Sequence, residues 1–173
     1  LAAIAAAALA RDDGDSLKSL TLFTTQIDFE EAGELSMFTD ESQLAWLEDV
    51  MWGKGYLSGR HMAGTFQMLR SRDLIWSRAV ENYMLGERRP PNDLMAWNAD
   101  VTRMPYKMHS EYLRSLFLNN DLSEGRFSIS DKPVALSDIR VPVFAVSTQR
   151  DHVAPWRSVY KIHLFADTDV TFV

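Results

Sequence analysis

Between residues 30 and 128 the sequence offers no convincing strand, while β-branched and aromatic runs stand on either side of that stretch. So long a passage, rich in Met, Trp, Tyr and Arg, reads as helix and loop. Before it, "LAAIAAAALARDDGD" begins with strong helix formers and stops at a polar cluster. "LKSLTLFTTQIDF" follows, and its core from Leu20 to Ile27 lacks strict alternation. The pattern predicts a helix and then a parallel strand buried on both faces. After the block, a short extended stretch from Val134 to Ile139 leads into "VPVFAVS", a predicted strand over 141–147. "APWRSVYKIHLF" then predicts a helix with Pro155 near its start, where the missing N–H costs nothing, and "DVTFV" a last strand. The order is helix–strand, helical block, strand–helix–strand. It predicts an α/β protein with a largely helical insertion in its sheet.

Inside the block, Thr39 and Asp40 are candidate N-caps for a helix bearing Leu44, Leu47 and Met51 on one face. "GKGYLSGRHMAG" reads as a flexible loop, because four glycines fall within it. Ser71 is a candidate cap for a second helix with Ile75, Ala79 and Tyr83 aligned, ending near Gly86. "ERRPPND" breaks the chain, "DLMAWNAD" is a short segment, and Met108, Tyr112, Leu116 and Phe117 face one way on a third helix.

Bulk properties exclude several function classes. A net charge of -6 and a pI near 5.2 leave no basic face for nucleic acid. There is no cysteine, so the chain carries no disulfide and no thiolate of its own. His61, His109, His152 and His163 show no metal-ligand spacing, so no metal site is expected. The apolar opening is too short to span a bilayer, and no transmembrane segment is expected. A start in mid-helix at Leu1 and an end on a strand at Val173 are what an internal fragment would show.

Asp151, in "STQRDHVAPW", falls four residues after the predicted end of the 141–147 strand. In open α/β sheets functional groups gather at the carboxyl ends of strands. On such folds the acid of a nucleophile–acid–histidine set arrives in a post-strand loop, where it fixes the histidine tautomer. The competing reading is a turn acid or helix cap, a role Asp fills often. His152, adjacent in the chain, would point away from its neighbour and suits a structural hydrogen bond better than a base. No serine stands in Gly-x-Ser-x-Gly.

"LKSLTLFTTQIDF", "LIWSRAVENYMLGERRPPNDLMAWNADVTRMP", "HSEYLRSLFLNNDL" and above all "DIRVPVFAVSTQRDHVAPWRSVYKI" resemble the polyhydroxyalkanoate synthases, or poly(3-hydroxyalkanoate) polymerases, most like class I. The resemblance covers nearly the whole chain, and "WNAD" and "RDHVAPW" are its most specific parts. It implies an α/β-hydrolase-like fold with a cap: core at 1–29, cap subdomain at 30–132, and core again at 133–173 with the catalytic Asp loop. It implies an acyltransferase that polymerises (R)-3-hydroxyacyl-CoA into polyester and releases CoA, with no cofactor, through a Cys-His-Asp triad. Asp151 is the triad member within this sequence; the cysteine elbow would precede Leu1 and the histidine would follow Val173. Asp93 and Trp97 match a pattern near the family's cap and dimer interface, although Asp93 and Asp100 also suit helix caps, and Trp97 a core aromatic. A homodimer in the cytoplasm, at the surface of storage granules, is the implied setting. Two other readings stay open: a capped esterase, lipase or depolymerase, and a non-catalytic module that binds a granule protein or a second subunit.

Overall fold

A computed structural model describes residues 1–14, 16–87, 90, 92–100 and 102–173, with the side chain of Asn98 left aside. Helix α1 (Ala2–Asp12) leads to strand β1 (Leu20–Phe23), a 3-10 turn at Gly33–Phe38 and helix α2 (Glu41–Trp52). Helix α3 (Gly59–Leu69) is followed by a π-helical turn at Arg72–Trp76, the short α4 (Ser77–Ala79) and a second π-helical turn at Val80–Met84. Then come α5 (Asp93–Ala99), α6 (Tyr106–Tyr112) with a π-helical continuation at Leu113–Leu118, and a two-stranded hairpin of β2 (Ser128–Ile129) and β3 (Lys132–Pro133). A 3-10 turn at Leu136–Asp138, β4 (Val143–Val146), α7 (Trp156–Tyr160), α8 (Ile162–Phe165) and β5 (Val170–Phe172) complete the chain.

Two compact units result: Leu1–Ala45 with Ser110–Val173, and Trp46–His109. The first holds a three-stranded sheet in the order β1-β4-β5, parallel throughout, with Leu20 opposite Val143 and Val143 opposite Val170. The chain returns from β4 to β5 through α7 and α8, a crossover of the kind parallel strands require. An α/β architecture is therefore the fold class. Helix α1 buries Ala3, Ile4, Ala6 and Ala7, spaced so that they share one face. They join the same core as Leu22 and Val143. Leu22, Ile27 and Ile139 are fully buried in the same core. Each contributes roughly 1.5–3 kcal/mol by removing apolar surface from water.

Several local expectations need correction. The first strand spans four residues, and only Leu22 on it is buried; Phe23 is 68 % exposed. Thr24 adopts φ 45, which turns the backbone out of the ladder before Ile27 is reached. The glycine-rich 53–64 segment is not a loop throughout, because helix α3 starts at Gly59. The apolar positions Met62, Phe66 and Leu69 recur at helical spacing and outweigh the cost of Gly64. Ser71 caps nothing; it sits in αR conformation within a continuing helical stretch. That stretch does end where expected, at Gly86 with φ 70. The hairpin was not foreseen: Ser130 and Asp131, both at positive φ, make its turn in place of the more telling Asn-Gly pair.

Other local features follow the sequence. Asp40 accepts from the Gln43 N–H at 2.8 Å, capping α2, and Leu44 and Met51 on that helix are buried. Asn92 rather than Asp93 caps α5, accepting from the Met95 N–H at 2.8 Å. Of the "RDDGD" stop, Asp15 lies outside the described residues, as do Arg88, Arg89 and Pro91 of the "ERRPPND" break.

Candidate active site at the carboxyl edge of the sheet

The carboxyl ends of the three parallel strands are in register. The Thr24 N–H donates to Val146 O at 2.7 Å, and the Ser147 N–H donates to Val173 O at 2.9 Å. The loop from Thr148 to Pro155 leaves the sheet at this edge, directly after β4. Its first turn closes through the Asp151 N–H on Thr148 O at 3.3 Å. Asp151 then turns its own carboxylate back onto the loop: Oδ1 accepts from the N–H groups of Val153 and Ala154, both at 2.9 Å. Pro155 precedes α7 with φ -53, pre-set by its ring. The half-buried Asp151 is thus a turn residue by one oxygen. Its other oxygen has no hydrogen-bond partner among the described residues.

His152 is also half-buried, and its backbone carbonyl accepts from the Glu34 N–H at 2.9 Å. Gly33, at φ +68, lies against that carbonyl, with Val153 O and Pro155 Cδ each 3.1 Å from where a Cβ would stand. Only glycine combines this φ with so little room.

A second acid at the same edge escaped sequence reasoning. Asp28 follows β1 as Asp151 follows β4, and it is buried. Its Oδ2 pairs with Lys161 Nζ at 2.9 Å, while Oδ1 accepts from the Glu30 N–H at 2.9 Å and from Asn120 Nδ2 at 3.1 Å. Asn120 in turn accepts the Phe29 N–H at 2.8 Å, and Ser158 Oγ donates to the Asp28 carbonyl. Burial pushes the Asp28 carboxyl upward, but Lys161, the Glu30 amide and Asn120 together outweigh it and hold the group below the ordinary carboxylate range. The bond to Asp28 raises Lys161 correspondingly. The strand-end position was the one signal available; the partners at 120, 158 and 161 are remote in sequence.

Asp93 and Trp97 lie on α5 in the second unit, and Trp97 is 73 % exposed, so it does not serve as a core aromatic there. Asp100 follows α5 at its C-terminal end. His109 is buried, and burial lowers its pKa. Among the described residues no cluster of three His, Cys, Asp or Glu side chains could hold a metal ion. No described helix is long and apolar enough to cross a membrane.

Fold and site together define an α/β protein whose parallel sheet carries an acid-bearing loop at its carboxyl edge. No family model matches the chain. It is, however, 44 % identical over 167 residues to the poly(3-hydroxyalkanoate) polymerase subunit PhaC of Rhizobium meliloti, covering 96 % of this chain and 27 % of that protein. It is 47 % identical over 145 residues to the poly(3-hydroxyalkanoate) polymerase of Methylorubrum extorquens, covering 84 % and 24 %. Against the polymerase subunit PhaC of Cupriavidus necator the figures are 36 % over 148 residues, 82 % and 25 %. The chain belongs to the poly(3-hydroxyalkanoate) polymerase family and spans about a quarter of the length of the curated relatives it matches.

Proposed function

We propose that the protein of which this chain forms part is an acyltransferase that polymerises (R)-3-hydroxyacyl-CoA into polyhydroxyalkanoate and releases CoA. The observation that carries this reading is the identity to proteins named as polymerases across nearly all of the chain. In this reading residues 1–29 and 133–173 form part of an α/β-hydrolase-like core, and residues 30–132 form its cap. A cysteine thiolate outside this sequence attacks the thioester carbonyl, the C–S bond to CoA breaks, and an acyl-enzyme forms. Asp151 accepts the Nδ1–H of a histidine, also outside this sequence, and stabilises the imidazolium that forms when the thiol gives up its proton. The 3-hydroxyl of the next unit then gives its proton to the histidine and attacks the acyl-enzyme carbonyl; the acyl–sulfur bond breaks, the cysteine leaves, and the ester chain is one unit longer. Asp93 and Trp97 serve a cap or dimer surface, His152 supports the site through its backbone, and the working form is a homodimer at the surface of cytoplasmic polyester granules.

The position of Asp151 in the loop that follows β4 at the carboxyl edge of the sheet supports the orienting role. Asp151→Asn in the intact polymerase tests it. Equal loss of acyl loading and of elongation is expected from a residue that orients the base; loading at the wild-type rate with elongation abolished would assign Asp151 to the 3-hydroxyl instead. Wild-type rates for both steps would remove Asp151 from the mechanism. The 173-residue chain, without a cysteine, is expected to release no CoA from acyl-CoA.

A further inference from the structure

Asp151 is held by N–H groups of its own loop, so the turn that carries it can move as a body without breaking either bond. What fixes that turn against the sheet comes from the segment after β1. Glu34 N–H binds the His152 carbonyl at 2.9 Å, one residue from Asp151. Gly33 fills the space under that carbonyl and under Val153 and Pro155. Further along the chain, α7 and its end are tied to the same segment, through Ser158 Oγ on the Asp28 carbonyl and through the Asp28–Lys161 pair. Glu30 adds a longer contact to Lys161 at 3.7 Å. Residues 28–34 therefore grip the segment directly after Asp151, from His152 to Lys161, and Asn120 braces Asp28 from a third segment.

We infer that Asp28, Gly33 and Lys161 are positioning residues, which act through the 152–161 segment to set where the Asp151 carboxylate faces the reacting groups. This rests on the proposed role of Asp151. A methyl group at Gly33 would overlap the His152 carbonyl, so the loop must retreat by several tenths of an ångström. Loss of the Lys161 charge leaves the buried Asp28 carboxylate without its cation and frees the end of α7. Misplacement of a catalytic group by about 1 Å is enough for a rate loss of about 10²-fold.

The test uses the intact polymerase, with CoA release from (R)-3-hydroxybutyryl-CoA followed well below the melting temperature of every variant. Gly33→Ala and Lys161→Met are expected to lower kcat by about 10- to 100-fold with KM within about twofold, since the substrate still binds. Lys161→Arg, which can still pair with Asp28, is expected to recover most of the lost rate. That recovery separates positioning from mere loss of packing. Asp151→Asn is run alongside. If Asp151→Asn is disabled while Gly33→Ala and Lys161→Met keep wild-type kcat, the positioning assignment is wrong and the role of Asp151 stands. Equal losses in Lys161→Met and Lys161→Arg also overturn it. If Asp151→Asn keeps wild-type kcat, the catalytic reading itself has failed. Should Gly33→Ala not fold, the Lys161 pair decides alone.

Discussion

Replacing Lys161 by Met should weaken the first unit by about 2 kcal/mol at neutral pH and by less as the medium turns acidic. The size follows from where the pair sits. Asp28's side chain is 10 % exposed and that of Lys161 22 % exposed. Breaking a fully buried pair by removing one partner costs about 3–5 kcal/mol. Here the ammonium reaches solvent, and Asp28 keeps the Glu30 N–H and Asn120 on its other oxygen, so a charged hydrogen bond of about 1.5–3 kcal/mol is the better measure. The pH window follows from the two shifts. Asp28 is held below its ordinary value, so its contribution is present above the unfolded carboxyl value of about 3.9 and is lost as pH falls through the folded value. Lys161 is raised, so its share is present below about 10.4 and is lost as pH climbs through the folded value. In the variant, burial without a cation works against the carboxylate, so the gap narrows as pH falls below the ordinary carboxylate range toward the folded value of Asp28. Trp156 is the one tryptophan in the first unit; replacing Trp46, Trp52, Trp76 and Trp97 by Phe makes its fluorescence a local reporter. Urea titration from pH 3 to pH 8 should then show the midpoint about 1 M lower at pH 7 and the difference shrinking toward pH 3. A gap of the same size at both ends, or none at pH 7, would refute the electrostatic account of the pair.

Leu22→Ala, at a fully buried strand position, should destabilise the same unit by about 2–5 kcal/mol in the same titration, by lost transfer energy plus a residual cavity. Asp40→Ala removes the oxygen that caps α2 and should cost about 1 kcal/mol, with Asp40→Ser recovering most of it in thermal melts. Asn120 holds φ 52 and bridges Phe29 to Asp28, so Asn120→Ala should be more damaging than Asn120→Gly. The reverse order would mean that backbone strain at this turn is unimportant.

Read alone, the sequence determined the order of the helices and parallel strands that flank the helical block, because the periodicity that separates an alanine-rich helix from a β-branched strand is local. It also picked out Asp151, since an acid just beyond an apolar run marks a strand's carboxyl end whatever the rest of the chain does. It misjudged 59–64 because glycine is compatible with both loop and helix, and neighbours decide between them. It overextended β1 because Thr24 to Ile27 carry strand-like side chains, while the turn at Thr24 is a backbone event. Tertiary structure alone decided that β1 lies beside β4, with Leu20 opposite Val143 and Phe23 opposite Val146, and that Asp28 meets Lys161. Those pairings depend on which surfaces come together when the core closes, and a buried carboxylate records nothing in its own neighbourhood of the cation that will neutralise it.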